Sequence, residues 1–321
     1  MYEIKVKESE FEGLLNRAGV IADVKRIFSA QVELLEDLTN YGTNLIPRAY
    51  NSSPKELKDV VLLGILLRQV VAMLDGIEVL SANGAIYAAE LQARTMFEAS
   101  VYMEWILKGD AEKKASYYYV HNLRRLRRWG LRMQSGSPEA STLPAPLADL
   151  ESFKDSRAIE GAQKTIDQIN VILSRPEYVE ISKAFDKCAR DAVKADKAWH
   201  VPLGKPSLAA LIADIGKSAE YMVFYAAGSE VTHSSNYAQH VHFGKGTVTL
   251  DAIRQLPGFE SLFRFSCAVA LRSYRIILAE YRSGELPRFA QKYVENWQKA
   301  FLEVPKVKFD VKKTGPASHE S

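Results

Sequence analysis

Cysteine is scarce in this 321-residue chain, which has only Cys188 and Cys267, far apart in the sequence. Such a chain has no disulfide framework, and the spacing of the two thiols matches neither a paired-cysteine zinc site nor a redox motif. Glycine and proline are also few, at 18 and 12 residues. Many short strands joined by turns would need more of both, so the composition favours long helices and an all-α fold.

A strong excess of one charge is missing as well, since 42 Lys and Arg stand against 39 Asp and Glu. The net charge therefore does not by itself indicate nucleic acid or an anionic membrane. The most apolar run, residues 60–74, is interrupted by Arg68 and Gln69 and is shorter than the ~20 residues of a membrane span. The N-terminus has no secretory signal pattern. We therefore expect a cytoplasmic protein with no membrane partner.

Apolar residues recur with helical periodicity along most of the chain. Pro47 is expected to end the first helix, and Ser53 and Pro54 to begin the second. The turn signal Asn83-Gly84 predicts that the second and third helices form a long antiparallel hairpin. The predicted helices cover residues 23–46, 53–81, 85–107, 111–134, 147–174, 176–196, 207–233, a segment from Asp251 to 283 interrupted at Pro257-Gly258, and 286–302.

These elements predict one multi-helix bundle over residues 1–304, built on that hairpin and packed against the helix at 207–233. Residues 239–243 and 247–250 alternate apolar and polar side chains around Gly244-Lys245-Gly246, which predicts a small β-hairpin near 239–250. The basic segment 305–321 has the composition of a disordered tail.

Four charged residues stand on the two apolar helices of the predicted hairpin. Arg68 and Asp75 are two turns apart on one helix, and Arg94 and Glu98 are one turn apart on the next. If the hairpin turns near Asn83, Arg68 lies opposite Glu98 and Asp75 lies within a turn of Arg94. We expect one layer of four charges, which either fixes the register of the helices or forms part of a site.

A polar and aromatic stripe precedes the predicted β-hairpin. Tyr221, Tyr225, Ser229 and His233 follow one another at four-residue spacing, so they share a face of the helix. Such a stripe faces either a pocket or the core, where the tyrosine hydroxyls would find partners. His233 is the candidate general acid or base because its charge changes near neutral pH.

Two further histidines, His240 and His242, alternate with Val241 in the predicted strand and therefore point to the same face. That geometry suits a metal ion. No carboxylate stands at a recognised ligand spacing. Metal-assisted hydrolysis by His233, His240 and His242 is therefore the least favoured of the functional hypotheses. No cofactor is predicted.

The run from Tyr117 to Trp129 combines tyrosines with arginines on one predicted helix. Arginines beside aromatic rings bind phosphates and stack on bases, which makes Arg124 and Arg128 candidate RNA ligands. The alternative is a solvated helix face whose arginines are balanced by acidic residues nearby in the sequence, namely Glu98, Glu104, Asp110 and Glu112.

Three segments in this order resemble a bacterial all-helical family of unknown function, over roughly residues 30–245. They are Leu67-Arg68 followed by Asp75, then Ala93-Arg94-Thr-Met-Phe-Glu98, then tyrosine, serine and histidine at positions 225, 229 and 233. The resemblance implies a helical fold and a candidate site but no reaction.

The chain is also loosely similar to the HEPN ribonucleases of toxin and phage-defence systems. In those enzymes an arginine four to six residues from a histidine stabilises the phosphate charge while the histidine exchanges protons. Here Ser229 stands four residues before His233, and no arginine lies four to seven residues before any histidine. The resemblance therefore requires Arg94, or an arginine of a second chain, to supply the positive charge.

Two functions remain open on the sequence. The first is an intracellular effector that binds or cleaves RNA, or another phosphate-bearing ligand such as a nucleotide. Its catalytic residues would be His233, Arg94, Glu98 and Ser229, and its ligand-binding residues Arg68, Asp75, Tyr221, Tyr225, Arg124 and Arg128. The second is a non-catalytic helical protein that binds a partner or forms a homodimer, in which the charged residues are structural.

Overall fold

This computed structural model describes residues 15–148, 150–189, 196–225, 241–244 and 247–307. Most of these residues are helical, and the predicted all-α fold class is confirmed. The helices are α1 (Arg17–Ser52), α2 (Leu57–Ala82), α3 (Ile86–Leu107), α4 (Ala111–Arg132), α5 (Ser156–Leu173), α6 (Pro176–Cys188), α7 (Leu208–Asp214), α8 (218–225), α9 (Phe259–Tyr281) and α10 (286–302). Short helical turns at Ala145–Ala148 and Glu151–Lys154 precede α5.

Three of these helices contain π-helical stretches, at Val60–Leu67 in α2, Tyr221–Tyr225 in α8 and Tyr293–Trp297 in α10. The extended segments among the described residues are β1 (Val241–Gly244) and β2 (Thr247–Leu250). They pair antiparallel, with Val241 opposite Leu250. The chain divides into two compact units: unit 1 comprises residues 1–45, 69–98 and 223–321, and unit 2 comprises 46–68 and 99–222. The single domain predicted over 1–304 and the disordered tail predicted over 305–321 stay predictions.

The core of unit 1 is built around α9, which buries apolar and aromatic side chains along most of its length. Phe259 stacks on Phe28 of α1 with ring centroids 4.0 Å apart. The fully buried Tyr274 donates a hydrogen bond of 2.9 Å to the carbonyl oxygen of Leu38. A Cβ at Gly42 would collide with the Tyr274 hydroxyl and with Val71. Glycine is therefore required at this point of α1, where it packs against Tyr274 of α9.

The predicted antiparallel pairing of α2 and α3 is confirmed within unit 1. Gly84 adopts a φ of 67° at the turn, a conformation that favours glycine. A Cβ placed at Gly76 would lie 3.7 Å from Cγ of Gln92. Positions 76 and 92 therefore face each other, close to the register expected from a turn at Asn83-Gly84.

Unit 2 is arranged around α4, which packs against α5 and α6. A Cβ at Gly130 of α4 would come within 2.9 Å of Ile166 of α5, so these two helices approach closely at this point. At the other end of the unit, the indole ring of Trp199 makes edge contacts with the rings of Tyr102, Trp105 and Tyr118.

Two helix boundaries predicted near residue 50 are wrong, the end of α1 and the start of α2. Helix α1 continues through Pro47 to Ser52. Proline in a helix interior costs about 3 kcal/mol, and the full burial of Ala49 beyond it helps to offset this cost. Ser53 does not cap α2, because that helix begins only at Leu57. The Ser53 hydroxyl donates to the carbonyl oxygen of Tyr50 at 2.9 Å and accepts from the N–H of Lys55 at 3.2 Å. A capping box of Glu56 and Asp59 begins α2 instead.

Other predicted helices are shorter in the structure. Ser207 caps α7 as predicted, but the helix ends at Asp214 because Gly216 takes a φ of 73°, and α8 begins at Ser218. The rest of the helix predicted to reach residue 233 lies outside the described residues. No helix covers residues 251–258, and α9 begins only after Gly258, which has a φ of 85°.

One helix among the described residues, α2, is long and apolar enough to cross a membrane, with a mean hydropathy of 2.0 over its most apolar window. Half of that window is buried inside the protein. A core helix of a soluble protein has the same length and composition, so this helix is weak support for a membrane span. The cytoplasmic location stays a prediction.

Candidate functional site

The candidate catalytic pair on α3 lies in unit 1. Arg94 and Glu98 are one helical turn apart, and Nε of the guanidinium lies 3.5 Å from Oε1 of the carboxylate. The Arg94 side chain is 21% exposed and the Glu98 side chain 31%. One turn earlier on the same helix, burial raises the pKa of Glu90. The pair is fixed one turn apart on the helix and partly open to solvent, so the Arg94 guanidinium can be reached by an anionic ligand.

The two charged residues predicted on α2 do not lie in a buried layer. Arg68 and Asp75 are both exposed. The apolar stripe of α2 that includes Leu67, Val71 and Leu74 is buried, which turns the opposite face of the helix outward. Arg68 and Asp75 are thus on the exposed face of α2, and the meeting of the four charges in one layer stays a prediction.

The stripe predicted on the helix at 207–233 is described only at its start. Tyr221 is half-buried on α8. Tyr225 is the last residue of the π-helical stretch, and His242 lies in β1 opposite Thr249. Ser229, His233 and His240 lie outside the described residues. Within the parts of the chain that the structure describes, no group of three or more His, Cys, Asp and Glu side chains could hold a metal ion.

Arg124 and Arg128, the predicted RNA ligands, belong to an internal ion-pair network of unit 2. Arg124 donates to both carboxylate oxygens of Asp196, at 2.8 Å from Nε and 3.1 Å from Nη2, and to Asp186 at 2.6 Å. Arg128 lies 3.3 Å from Asp196. The arginine side chains are only 16% and 11% exposed, and that of Asp196 only 3%. These two arginines are neutralised inside the protein and are not available to phosphates.

The acidic partners differ from those expected from the sequence. Asp110 caps α4 by accepting from the backbone N–H of Lys113, and Glu112 accepts from the N–H of Lys58. The partners of Arg124 instead follow far along the chain, on α6 and just before Trp199. No local signal in the sequence identifies them, because α6 and the following segment approach α4 only in the folded chain.

The network also shifts pKa values. Burial alone would raise the pKa of Asp196, but hydrogen bonds and charges from Arg124 and Arg128 outweigh it and lower the pKa. Burial lowers the pKa of His121, and the neighbouring arginines lower it further against the opposite effect of Asp196. The carboxylate and the neutral imidazole are therefore the stable forms at neutral pH.

A second polar cluster in unit 2 was missed in the sequence. The carboxylate of Asp214 accepts from Nε1 of Trp105 at 2.9 Å and lies 3.0 Å from Nζ of Lys205. The buried His200 donates from Nδ1 to the carbonyl oxygen of Lys205 at 2.7 Å, and burial lowers its pKa. The cluster joins the loop after Trp199 to α3 and α7, so we assign it a structural role.

The outward face of α4 differs from its inward face. Leu126 and Trp129 are 52% and 51% exposed. The guanidinium of Arg132 stacks on the indole of Trp129, with Cζ 4.3 Å from the ring centroid. Arg125 is exposed on the same face. In the described residues, neither Arg125 nor Arg132 forms an ion pair with a carboxylate.

Unit 1 has a cleft of about 540 Å³ between α1 and α10 that the sequence did not indicate. Gln31 in its wall donates to the carbonyl oxygens of Ala300 and Glu303, and Asp37 accepts from Nε1 of Trp297 at 2.8 Å. These hydrogen bonds fix the end of α10 against α1. The side chains of Gln31 and Asp37 therefore have a structural role in this wall.

Comparison with known proteins gives one match. No curated protein and no solved structure matches the chain. Residues 59–247, more than half of the chain, match a family of unknown function, DUF5677. The matched region contains the candidate pair on α3 and the whole of α4. It also contains Ser229 and His233, which the sequence predicted as catalytic residues. The chain belongs to this family of unknown function.

Proposed function

We propose that this protein is an effector that binds and cleaves RNA, of the kind used in toxin or phage-defence systems. The active site would combine Arg94 and Glu98 of α3 with His233. The observation that supports this best is the position of Arg94, whose charge is partly exposed on unit 1 and oriented by Glu98. The described segments on either side of His233 in the sequence, residues 223–225 and 241–244, belong to the same unit.

Each residue has a separate role in this proposal. His233 removes the proton of a ribose 2′-hydroxyl, whose oxygen attacks the adjacent phosphorus to form a cyclic phosphate. The 5′-oxygen of the next nucleotide leaves and takes up a proton. Arg94 stabilises the negative charge on the phosphate oxygens. Glu98 is a positioning residue that acts through Arg94, and Ser229 lies one turn before His233 in the predicted helix.

The experiment is degradation of total cellular RNA by the purified protein, with and without a chelator. We expect cleavage that survives the chelator and is lost in His233→Ala and in Arg94→Ala. Arg26→Ala is the matched control, since Arg26 is an exposed arginine of unit 1 paired only with neighbouring Asp23 among the described residues. Circular dichroism establishes that each variant is folded.

Glu98→Gln separates positioning from catalysis. If Glu98 only orients Arg94, this variant raises KM for RNA more than it lowers kcat, and its pH profile matches that of the wild type. Unchanged cleavage in His233→Ala would contradict the proposal. Loss of cleavage with the chelator alone would move the assignment to a metal site of His233, His240 and His242.

A non-catalytic binding or oligomerising protein is the second candidate. It is favoured by the internal position of Arg124 and Arg128, which removes two of the predicted RNA ligands from the surface. A folded wild-type protein that neither binds nor cleaves RNA, and that forms a stable homodimer in light scattering, would make this second function the better one.

A further inference from the structure

We propose that the outward face of α4, formed by Arg125, Leu126, Trp129 and Arg132, is the surface on which single-stranded RNA docks. This inference rests on the proposed function for its choice of RNA, but it concerns a different unit from the proposed active site. These four residues form what we call the outer face.

The distribution of acidic partners separates the outer face from the rest of α4. Asp186 and Asp196 pair with Arg124, and Asp196 also lies beside Arg128. The described residues give Arg125 and Arg132 no such carboxylate. Arg125 is exposed and Arg132 is half-buried against Trp129, so both keep a positive charge on the outer face. Arg127 also lacks a carboxylate partner among the described residues, but its Nε donates to Oδ1 of Asn170 at 2.6 Å, on the side that packs against α5. The whole positive excess of the chain also falls in the sequence of unit 2, since unit 1 has more acidic than basic residues.

Trp129 supplies the second part of the surface. An indole ring that is half exposed leaves apolar area in water, which is unfavourable unless a partner covers it. Arg132 covers part of the ring by stacking, and its Nε is buried without a hydrogen-bond partner in the described residues. This stack holds the indole in place and leaves the remainder of the ring open, as a platform for a planar group.

A base is the planar group that fits this combination. Single-stranded nucleic acids bind where aromatic side chains stack on bases and nearby arginines contact the phosphates. An acidic peptide would use the same charges but has no aromatic plane to place on Trp129. A duplex would keep its bases stacked on one another and could use only the charges. The outer face therefore favours an unpaired strand over both.

The length of the outer face limits its contribution. Arg125 and Arg132 are seven residues apart, which is about 10 Å along a helix that rises 1.5 Å per residue. A surface of this length contacts only a short stretch of the strand. We therefore expect it to guide and hold RNA, with cleavage at another position on the chain.

The test measures binding of a fluorescent single-stranded 2′-O-methyl RNA to the full chain by anisotropy. This probe has no free 2′-hydroxyl, so cleavage by the proposed mechanism cannot affect the measurement. We expect Trp129→Ala to weaken binding about tenfold, as for the loss of one stacked base. Arg125→Ala should lower the slope of log affinity against log salt by about 0.7, as for one phosphate contact to a single strand.

Lys164→Ala and Trp129→Phe are the controls. Lys164 is an exposed cation of α5 paired with Glu160, so its removal should leave binding unchanged. Trp129→Phe keeps an aromatic plane and should retain part of the affinity. Equal loss in Trp129→Phe and Trp129→Ala would contradict stacking. Equal binding of duplex RNA, or tighter binding of an acidic peptide of the same length, would also overturn the inference.

Binding and cleavage can fail separately in this design. If the probe binds through Trp129 but total RNA is not degraded, the outer face holds and the proposed active site fails. If RNA is degraded but Trp129→Ala and Arg125→Ala bind the probe like the wild type, the active site holds and the outer face is excluded. Both substituted residues are exposed, so we expect the variants to fold.

Discussion

Unit 1 buries aromatic rings around α9 and satisfies their few polar atoms with single hydrogen bonds, whereas unit 2 buries ion pairs between α4, α6 and the segment before Trp199. Apolar burial is insensitive to pH and depends on packing. A buried ion pair is stable only while both partners are present and charged. The two units should therefore respond differently to substitution, to pH and to salt.

The largest difference between the two units is expected for the substitution of Asp196 in unit 2. Asp196→Ala leaves Arg124 and Arg128 largely buried with their main partner removed, and breaking such a buried pair costs about 3–5 kcal/mol. We expect this loss in the free energy of unfolding, measured by amide hydrogen exchange in peptides of unit 2. Peptides of unit 1 report in the same experiment whether the two units unfold separately.

Asp186→Ala is the matched control, because Asp186 pairs with the same arginine but its side chain is 63% exposed. Exposed pairs contribute about 0–1 kcal/mol. Equal effects of the two substitutions would show that burial of the carboxylate is not the reason for the stability of the network, and the contrast between the units would fail.

In unit 1 the corresponding substitution is Tyr274→Phe. It removes the hydroxyl that donates to the carbonyl oxygen of Leu38 and keeps the buried ring. The carbonyl of Leu38 keeps its hydrogen bond within α1, so the loss is that of one neutral hydrogen bond, about 0.5–1.5 kcal/mol. Burial raises the pKa of Tyr274, so the hydroxyl stays neutral and this loss should be the same from pH 5 to pH 8. A loss that changes with pH in hydrogen exchange would contradict this account.

The sequence predicted the parts of this fold that local signals determine. Gly84 marked the turn between α2 and α3, and the apolar periodicity of both helices placed them correctly. The sequence-based prediction of helix ends was wrong at Pro47 and at Gly216, where packing and backbone conformation decide whether a helix continues. Neither the packing nor the backbone conformation can be read from the local composition.

The candidate site shows the same limit. The pairing of Arg94 with Glu98 follows from their spacing on one helix, and it is present. The partners of Arg124 lie 62 and 72 residues away and could not be read from the sequence. As a result, the sequence assigned to RNA the two arginines that the fold neutralises, and it did not distinguish them from Arg125 and Arg132 on the same helix.

A smaller change in the free energy of unfolding is expected from a change of pH, and it should appear in unit 2. Burial lowers the pKa of His200 and of His121. The unfolded chain therefore takes up these protons first as the pH falls below about 6.5, the ordinary value for histidine. The free energy of unfolding contributed by the two neutral imidazoles is complete above that pH and decreases below it.

His200→Gln checks the assignment, because glutamine can still donate to the carbonyl oxygen of Lys205 but does not titrate. Urea unfolding followed by tryptophan fluorescence reports mainly on unit 2, which contains three of the four tryptophans. We expect a flatter dependence on pH between 7 and 5 in the variant. A dependence as steep as that of the wild type would assign the effect elsewhere.

The smallest effect is expected where charges pair at the surface of unit 2. Lys164 and Glu160 are one turn apart on α5, 2.9 Å from each other, and both side chains are well exposed. Such helix pairs contribute about 0.3–0.5 kcal/mol, and salt screens them. We expect Lys164→Ala to change the free energy of unfolding by no more than that, and by less in high salt. A loss comparable to that of Asp196→Ala would mean that ion pairs stabilise unit 2 whether or not they are buried. Burial of Asp196 would then no longer explain the stability of the network around Arg124 and Arg128.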